Sequence, residues 1–239
     1  MDTATIAARL AAVLHDVQDC AARAGRAADS VRVLAVSKFH PQQAVLDAYG
    51  AGQRLFGENR VQEAAEKFST LPDAVAAHCE LHLIGTLQKN KVKHAVRIAS
   101  CIESVDRLSL LAEIERHCAA RSVALSVLFE YRTGEDSKSG FTEQAELEAA
   151  LEYCAAGAAP HITPRGFMTM APFTDDEHAI RKSFSTLRIL AEKMRAHYPS
   201  LPLSELSMGM TNDYRYAIAE GSTEVRIGTA IFGEREYAA

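Results

Sequence analysis

The stretch RVLAVSKFHP, residues 32–41, decides the fold: a run of strand-forming aliphatic residues that ends in a lysine. On a strand, alternate side chains point to opposite faces, so Arg32, Leu34, Val36 and Lys38 share one face and Val31, Val33, Ala35 and Ser37 share the other. Both faces are largely apolar. That pattern belongs to a strand of a parallel sheet covered by helices, with Lys38 projecting from its C-terminal end on the face of Leu34 and Val36. An isolated strand-end lysine most commonly snorkels to solvent, so the other segments decide whether this one belongs to a site.

Outward from this segment the pattern recurs. Residues 3–24 place Ile6, Leu10, Val13, Leu14, Val17 and Ala21 at intervals of three and four, which predicts an amphipathic opening helix stopped near Gly25. Pro41 suits the first turn of a short helix ending near Gly50 and Gly52. Strand-like runs follow at RLFGEN (54–59), ELHLIG (80–85), SCIESV (100–105), ALSVLFEYR (124–132), RGFMTMA (165–171), LSELSMG (203–209) and EVRIGTAIFG (224–233). Helical segments separate them. TDDE (174–177) reads as a capping box before the stripe of Ile180, Phe184, Leu187, Leu190 and Met194. Asp106 is placed to cap the helix carrying Leu108, Leu111 and Ile114, and Thr142 the one carrying Leu147 and Leu151. Eight strands alternating with helices predict one α/β domain over residues 1–239, a single (β/α)8 TIM-type barrel preceded by an N-terminal helix. A doubly wound open sheet is the second architecture that fits. No Pro/Gly/Ser-rich linker or repeat marks a further domain.

The 239 residues are 48% hydrophobic and 24% charged, the composition of a globular protein with a sizeable core. A net charge of -5 gives no general attraction to nucleic acid or to an anionic membrane. No apolar run is long enough to span a bilayer, and the charges within the first twenty residues do not fit a secretory signal, so a cytoplasmic location is expected. The five cysteines, Cys20, Cys79, Cys101, Cys118 and Cys154, form no C-x-x-C pair and read as reduced thiols. His78 and His82 have helical ligand spacing but sit in a strand entry. No metal, Walker A or complete dinucleotide motif is present, so no metal is expected.

In a barrel the C-terminal strand ends converge on one mouth. Those ends carry Ser37 and Lys38, Glu58 and Asn59, Gly85 with Gln88, Glu103 and Asp106, Ser137 and Lys138, Met168 and Met170, Ser207 and Gly209, then Arg226, Gly228 and Thr229. The last two strands are the most informative. Gly209 opens a turn, Thr211 is placed to cap a helix running to about Glu220, and Gly228–Thr229 forms a turn whose N–H groups can cradle an anion. Barrels of this kind frequently bind phosphate after strands seven and eight. Arg226, on the inward face of a buried strand, needs either a ligand or an internal carboxylate such as Glu205 or Glu58. Ser207, Gly228 and Thr229 favour a ligand. A phosphate there, next to Lys38 where the barrel closes, suggests a phosphorylated aldehyde held as a Schiff base. Pyridoxal 5'-phosphate (PLP) has both groups. Desolvation and Arg226 would favour the free amine of Lys38.

The segments LAVSKFHP, LFGENRVQE, LHLIGTLQKNKVK, IESVDRL, EDSKSGF, LSMGMTND and EVRIGTAIFGERE together resemble the pyridoxal phosphate homeostasis protein family, whose barrel is similar to that of alanine racemase. The resemblance implies that Lys38 carries the Schiff base and that Asn59 sits by the cofactor. It assigns the phosphate to Ser207, Gly209, Gly228 and Thr229, and sets Arg226 against the pyridine nitrogen. Met168 joins the cofactor-binding set from the sixth strand end. Leu81 stands where the family often has tryptophan, Thr86 where proline is frequent, and Tyr131-Arg132 where a Val-Asn pair is common. Lys138 matches a second lysine of the family pattern, an alternative acceptor during transfer or a solvated loop residue.

Racemisation in the usual scheme needs a proton carrier on each face of the substrate, and Lys38 supplies one. The resemblance to alanine racemase implies a second base from an additional C-terminal domain and its partner subunit, and no such domain is expected in this chain. Arg226 is also unlike the acidic partner that keeps the pyridine nitrogen protonated. The expected function is therefore non-catalytic: a PLP-binding protein that carries the cofactor as a Schiff base and maintains vitamin B6 and amino-acid and keto-acid homeostasis. No residue is assigned as catalytic. The alternatives are a small PLP-dependent amino acid racemase, a Schiff-base aldolase, and an interaction protein using QKNKVK. Recipient apo-enzymes are the expected partners, with no nucleic acid or membrane, and the chain is expected to be a monomer.

Overall fold

A computed structural model describes residues 5–134 and 139–234. In chain order the elements are α1 (Ile6–Arg23), β1 (Arg32–Val36), α2 (Gln42–Gly50), β2 (Leu55–Glu58), α3 (Val61–Phe68), α4 (Asp73–Ala76), β3 (Glu80–Leu83), α5 (Val92–Ile98), β4 (Cys101–Val105), α6 (Leu108–Ala119), β5 (Leu125–Glu130), α7 (Gln144–Ala155), β6 (Ile162–Met168), α8 (Glu177–His197), β7 (Glu205–Met210), α9 (Tyr214–Ala219), β8 (Glu224–Ile227) and α10 (Thr229–Phe232). The eight strands form a closed barrel in sequential order, all parallel, with β8 pairing back onto β1 through Val33 with Val225 and Leu34 with Arg226. The (β/α)8 expectation holds, and closure excludes the open sheet.

Alternation along β1 works as the sequence predicts. Leu34 and Val36 pack inside the barrel with Leu55 and Ile84. Val31, Val33 and Ala35 face outward onto Leu10, Val13 and Val17 of α1, which covers the strand. Thr5 caps α1 by accepting a hydrogen bond from the amide of Ala8, and Arg9 donates from its guanidinium to the carbonyl of Ile231. The opening helix thus clasps the last one. No helix among the described residues is long and apolar enough to cross a membrane.

Several local expectations are corrected. β8 stops at Ile227, because the chain after Gly228 turns into α10 instead of continuing as a strand to residue 233. Asp176, not Thr174, caps α8, accepting from the amides of His178 and Ala179. Asp106 does not cap α6, since its carboxylate is engaged by the Arg107 guanidinium. Nor does Thr142 cap α7, whose N-cap position is held by Glu143 without a side-chain bond. Thr211 likewise yields to Asp213, whose carboxylate accepts from the amide of Met210 and closes the β7–α9 turn.

Gly166 has a φ of 154°, and a Cβ there would lie 1.9 Å from the carbonyl oxygen of Glu205 on the adjacent strand. Backbone cannot swing aside as a side-chain tip can. Gly166→Ala is expected to cost about 3 kcal/mol, the upper range for overpacking, measured as a shift in the urea unfolding midpoint.

Candidate functional site

The mouth holds a cavity of about 380 Å³, within the range of small-molecule pockets. Of the residues proposed from the sequence, Lys38, Asn59, Met168, Arg226, Gly228 and Thr229 line it. Lys38 enters from a tight turn after β1. Phe39 has a φ of 67°, a left-handed conformation that costs about 1–2 kcal/mol for a residue with a Cβ. Its amide donates to Glu63, which helps hold the turn. Behind it, Lys67 donates to the Ser37 carbonyl at 2.7 Å and pairs with Glu58 at 2.6 Å, and the Ser37 hydroxyl donates to Glu58 at 2.7 Å. Ser37 and Glu58, expected at the mouth, instead anchor the base of the Lys38 turn. Burial pushes the Glu58 carboxyl up, against the lowering by Lys67.

Arg226 reaches the cavity from the barrel interior with 4% exposure. It donates to the Ser207 carbonyl at 2.7 Å, the Ser207 hydroxyl at 2.8 Å and the Thr169 carbonyl at 2.8 Å. Neither carboxylate considered as its internal partner takes that role. Glu58 pairs with Lys67, and Glu205 pairs with Arg32 and Arg165. A guanidinium has five N–H donors, so these three bonds leave others for a ligand.

Two proposed residues do not line the cavity. Ser207 is fully buried, and its hydroxyl is already committed, donating to Glu103 at 2.6 Å while accepting from Arg226. Its hydroxyl supports Arg226 from below. Gly209, with a φ of 98°, lies beneath α9, where a Cβ would meet the Tyr214 Cα at 2.8 Å. Its smallness lets α9 pack on β7. The next residues, Met210, Thr211 and Asn212, line the cavity in their place. Thr86 also lines it, whereas Leu81 faces the outer core and Tyr131 packs against that core. Ser137 and Lys138 lie outside the described residues.

Glu103, expected at the mouth, is instead fully buried and does not line the cavity; it belongs to a polar cluster whose other members, His82 and Glu224, had no site role in the sequence reading. His82, Glu103 and Glu224 are all buried and bring one potential ligand atom each within 4.8 Å of one another. His78 is apart from them, its Nδ1 near the Ala74 carbonyl on an exposed turn. Burial raises the Glu103 carboxyl, but the hydrogen bond and charge of His82, with Arg226, outweigh it and hold the group at about 2. Burial and the Glu103 charge push Glu224 well above the usual carboxylate range. The two shifts run in opposite directions, so an ionised Glu103 lies beside a Glu224 that favours its neutral form.

Glu130, the last residue of β5, is a further buried acid. Burial pushes it up to about 7; the Ser139 hydrogen bond and Arg226 lower it, and Asp106 and Glu103 raise it. The folded state thus binds this proton more tightly than the unfolded chain, so stability falls as pH rises from about 4.5 to about 7. Glu130→Gln removes that loss. Relative to wild type, the variant is expected to gain about 2.5 kcal/mol between pH 5 and pH 8, read from urea unfolding at both values.

The barrel and its mouth define the protein as one of the alanine racemase N-terminal type, and the chain matches the family model for that domain over residues 8–236. The pyridoxal phosphate homeostasis protein of Aquifex aeolicus (strain VF5) is 37% identical over 229 residues, covering 96% of this chain and 98% of that protein. Two structures of PipY from Synechococcus elongatus PCC7942 are also similar, at 34% identity over 96% of this chain and 100% of PipY. Their TM-scores are 0.86 without PLP and 0.82 with PLP bound. This chain belongs to the pyridoxal phosphate homeostasis protein family.

Proposed function

We propose that the chain binds PLP at the barrel mouth, holds it as a Schiff base on Lys38 and delivers it to recipient apo-enzymes without turning over amino acids. The observation that carries this reading is the meeting of Lys38, Arg226 and the Gly228–Thr229 turn around one cavity. These groups match an aldehyde, a pyridine nitrogen and a phosphate in turn. When bound, the cofactor supplies a reactive aldehyde that condenses with a primary amine and releases water.

The residues divide the binding work. The opening N–H groups of the β8–α10 turn face an anion better than a neutral group, and Thr211 and Asn212 add polar side chains from the β7–α9 turn. Asn59 and Met168 border the remaining wall. Arg226 donates hydrogen bonds and accepts none, so a ring nitrogen facing it stays unprotonated. That arrangement favours retention over the electron withdrawal that amino-acid chemistry needs. Binding without stabilisation of a transition state makes a carrier.

The test is a titration of the purified protein with PLP and with unphosphorylated pyridoxal, followed by visible absorbance. One equivalent of PLP is expected to produce a bound chromophore, with pyridoxal much weaker. A protein that acquires no chromophore contradicts the reading.

A further inference from the structure

Across the barrel from Lys38, which follows β1, β5 carries an acid that the binding reading leaves unused. Glu130 ends that strand with 2% exposure. It lies on the same strand face as Leu128, which packs inside the barrel with Met168, and it pairs in register with Met168 on β6. Its Oε1 accepts from the Ser139 hydroxyl at 2.8 Å, and that hydroxyl accepts from Thr86 at 3.3 Å. Ser139 and Thr86 both line the cavity. The second oxygen, Oε2, is buried with no hydrogen-bond partner among the described residues. A hydroxyl can accept one proton while donating another, so Thr86 and Ser139 form a path from the cavity wall to a buried carboxyl.

We infer that Glu130, reached through Ser139 and Thr86, is the proton reservoir that assists formation and release of the Lys38 Schiff base. This inference rests on the PLP reading of the site. Schiff-base formation joins the Lys38 nitrogen to the aldehyde carbon and moves one proton from nitrogen to the former carbonyl oxygen. Expelling that oxygen breaks the C–O bond with its electron pair. A proton from Glu130 completes the departing water, and the proton left on nitrogen returns to the carboxylate. One amine and one aldehyde become one Schiff base and one water, with no oxidant or reductant. Release is the reverse, with water adding to the carbon.

The surroundings keep both states of Glu130 populated near neutrality. Glu103 from β4 and Asp106 just after it favour the protonated acid, as does burial, while Arg226 from β8 and the Ser139 hydroxyl favour the carboxylate. A general acid or base works best when its pKa lies near the operating pH.

The test has one readout without cofactor and one with it. Infrared difference spectra of the unloaded protein are expected to show a protonated-acid carbonyl band that titrates near pH 7 and is missing in Glu130→Gln. Stopped-flow absorbance with PLP is expected to show formation and release slowed by the same factor, about a hundredfold, in Glu130→Gln. The wild-type pH dependence near neutrality should disappear with it. Ser139→Ala is expected to slow both rates while keeping the infrared band, which separates the path from the acid. A band that does not titrate near neutrality, or unaltered rates in both variants that still bind PLP, overturns the inference. Failure of the wild-type protein to bind PLP overturns the reading of the site and the relay's role with it, even where the infrared titration is found.

Discussion

Lys38→Ala is expected to abolish the visible chromophore that the wild-type protein acquires with PLP, and borohydride is expected to leave no cofactor covalently attached. The wild-type protein treated in the same way should yield one labelled peptide, the one containing Lys38. The expectation is strong because the geometry is specific. Lys38 lines the cavity from a turn held by the Lys67–Glu58 pair, the Ser37 carbonyl and the contact of Phe39 with Glu63. Removing the amine leaves the anion-facing turn and Arg226 in place, so residual non-covalent PLP binding without the Schiff-base absorbance is the predicted remainder. Labelling of Lys138 alone in the wild-type protein would reassign the acceptor.

Gly228→Val is expected to weaken PLP by about a hundredfold and pyridoxal by far less. Two hydrogen bonds to a charged group, at roughly 1.5 kcal/mol each, account for that factor. A Cβ at residue 228 would already lie 3.2 Å from the Val36 carbonyl and 3.5 Å from its Cβ, where the last strand meets the first. The larger valine has to turn the β8–α10 backbone away and misplace its N–H groups. Competition titrations with both ligands check this. Equal losses would indicate collapse of the pocket and no phosphate recognition by this turn.

β1 and β5 were legible as short aliphatic runs, the other strands as short apolar-containing segments between helical stripes, and the barrel followed from their regular alternation with helices. Six of the proposed pocket residues were legible because strand ends converge in such a barrel. What escaped depends on contacts across it. Ser207 looked like a phosphate ligand by position, yet Glu103, 104 residues away in sequence, takes its hydroxyl. Gly209 looked like part of the anion turn, and is instead the packing surface for α9. Glu130 ends the run LSVLFE and gave no pattern of its own. Its importance arises from Ser139, nine positions on, and from burial that no local spacing encodes. An acid closing an aliphatic strand in a barrel is the one signal that would have drawn attention to it. The helix caps were missed for a smaller reason, since neighbouring polar residues competed for one position and Arg107 removed Asp106 from contention.

The claim that this chain is a carrier is tested most directly by multiple-turnover product formation with the PLP-loaded protein across a panel of D- and L-amino acids, with Lys38→Ala as control. Racemised, transaminated and decarboxylated products are each quantified against the protein present. Amino acids can displace the Lys38 amine from the aldehyde by simple exchange, so a spectral change alone does not count. The account predicts no more product than one equivalent per chain for any substrate. Sustained turnover that depends on Lys38 would contradict it and make the protein an enzyme.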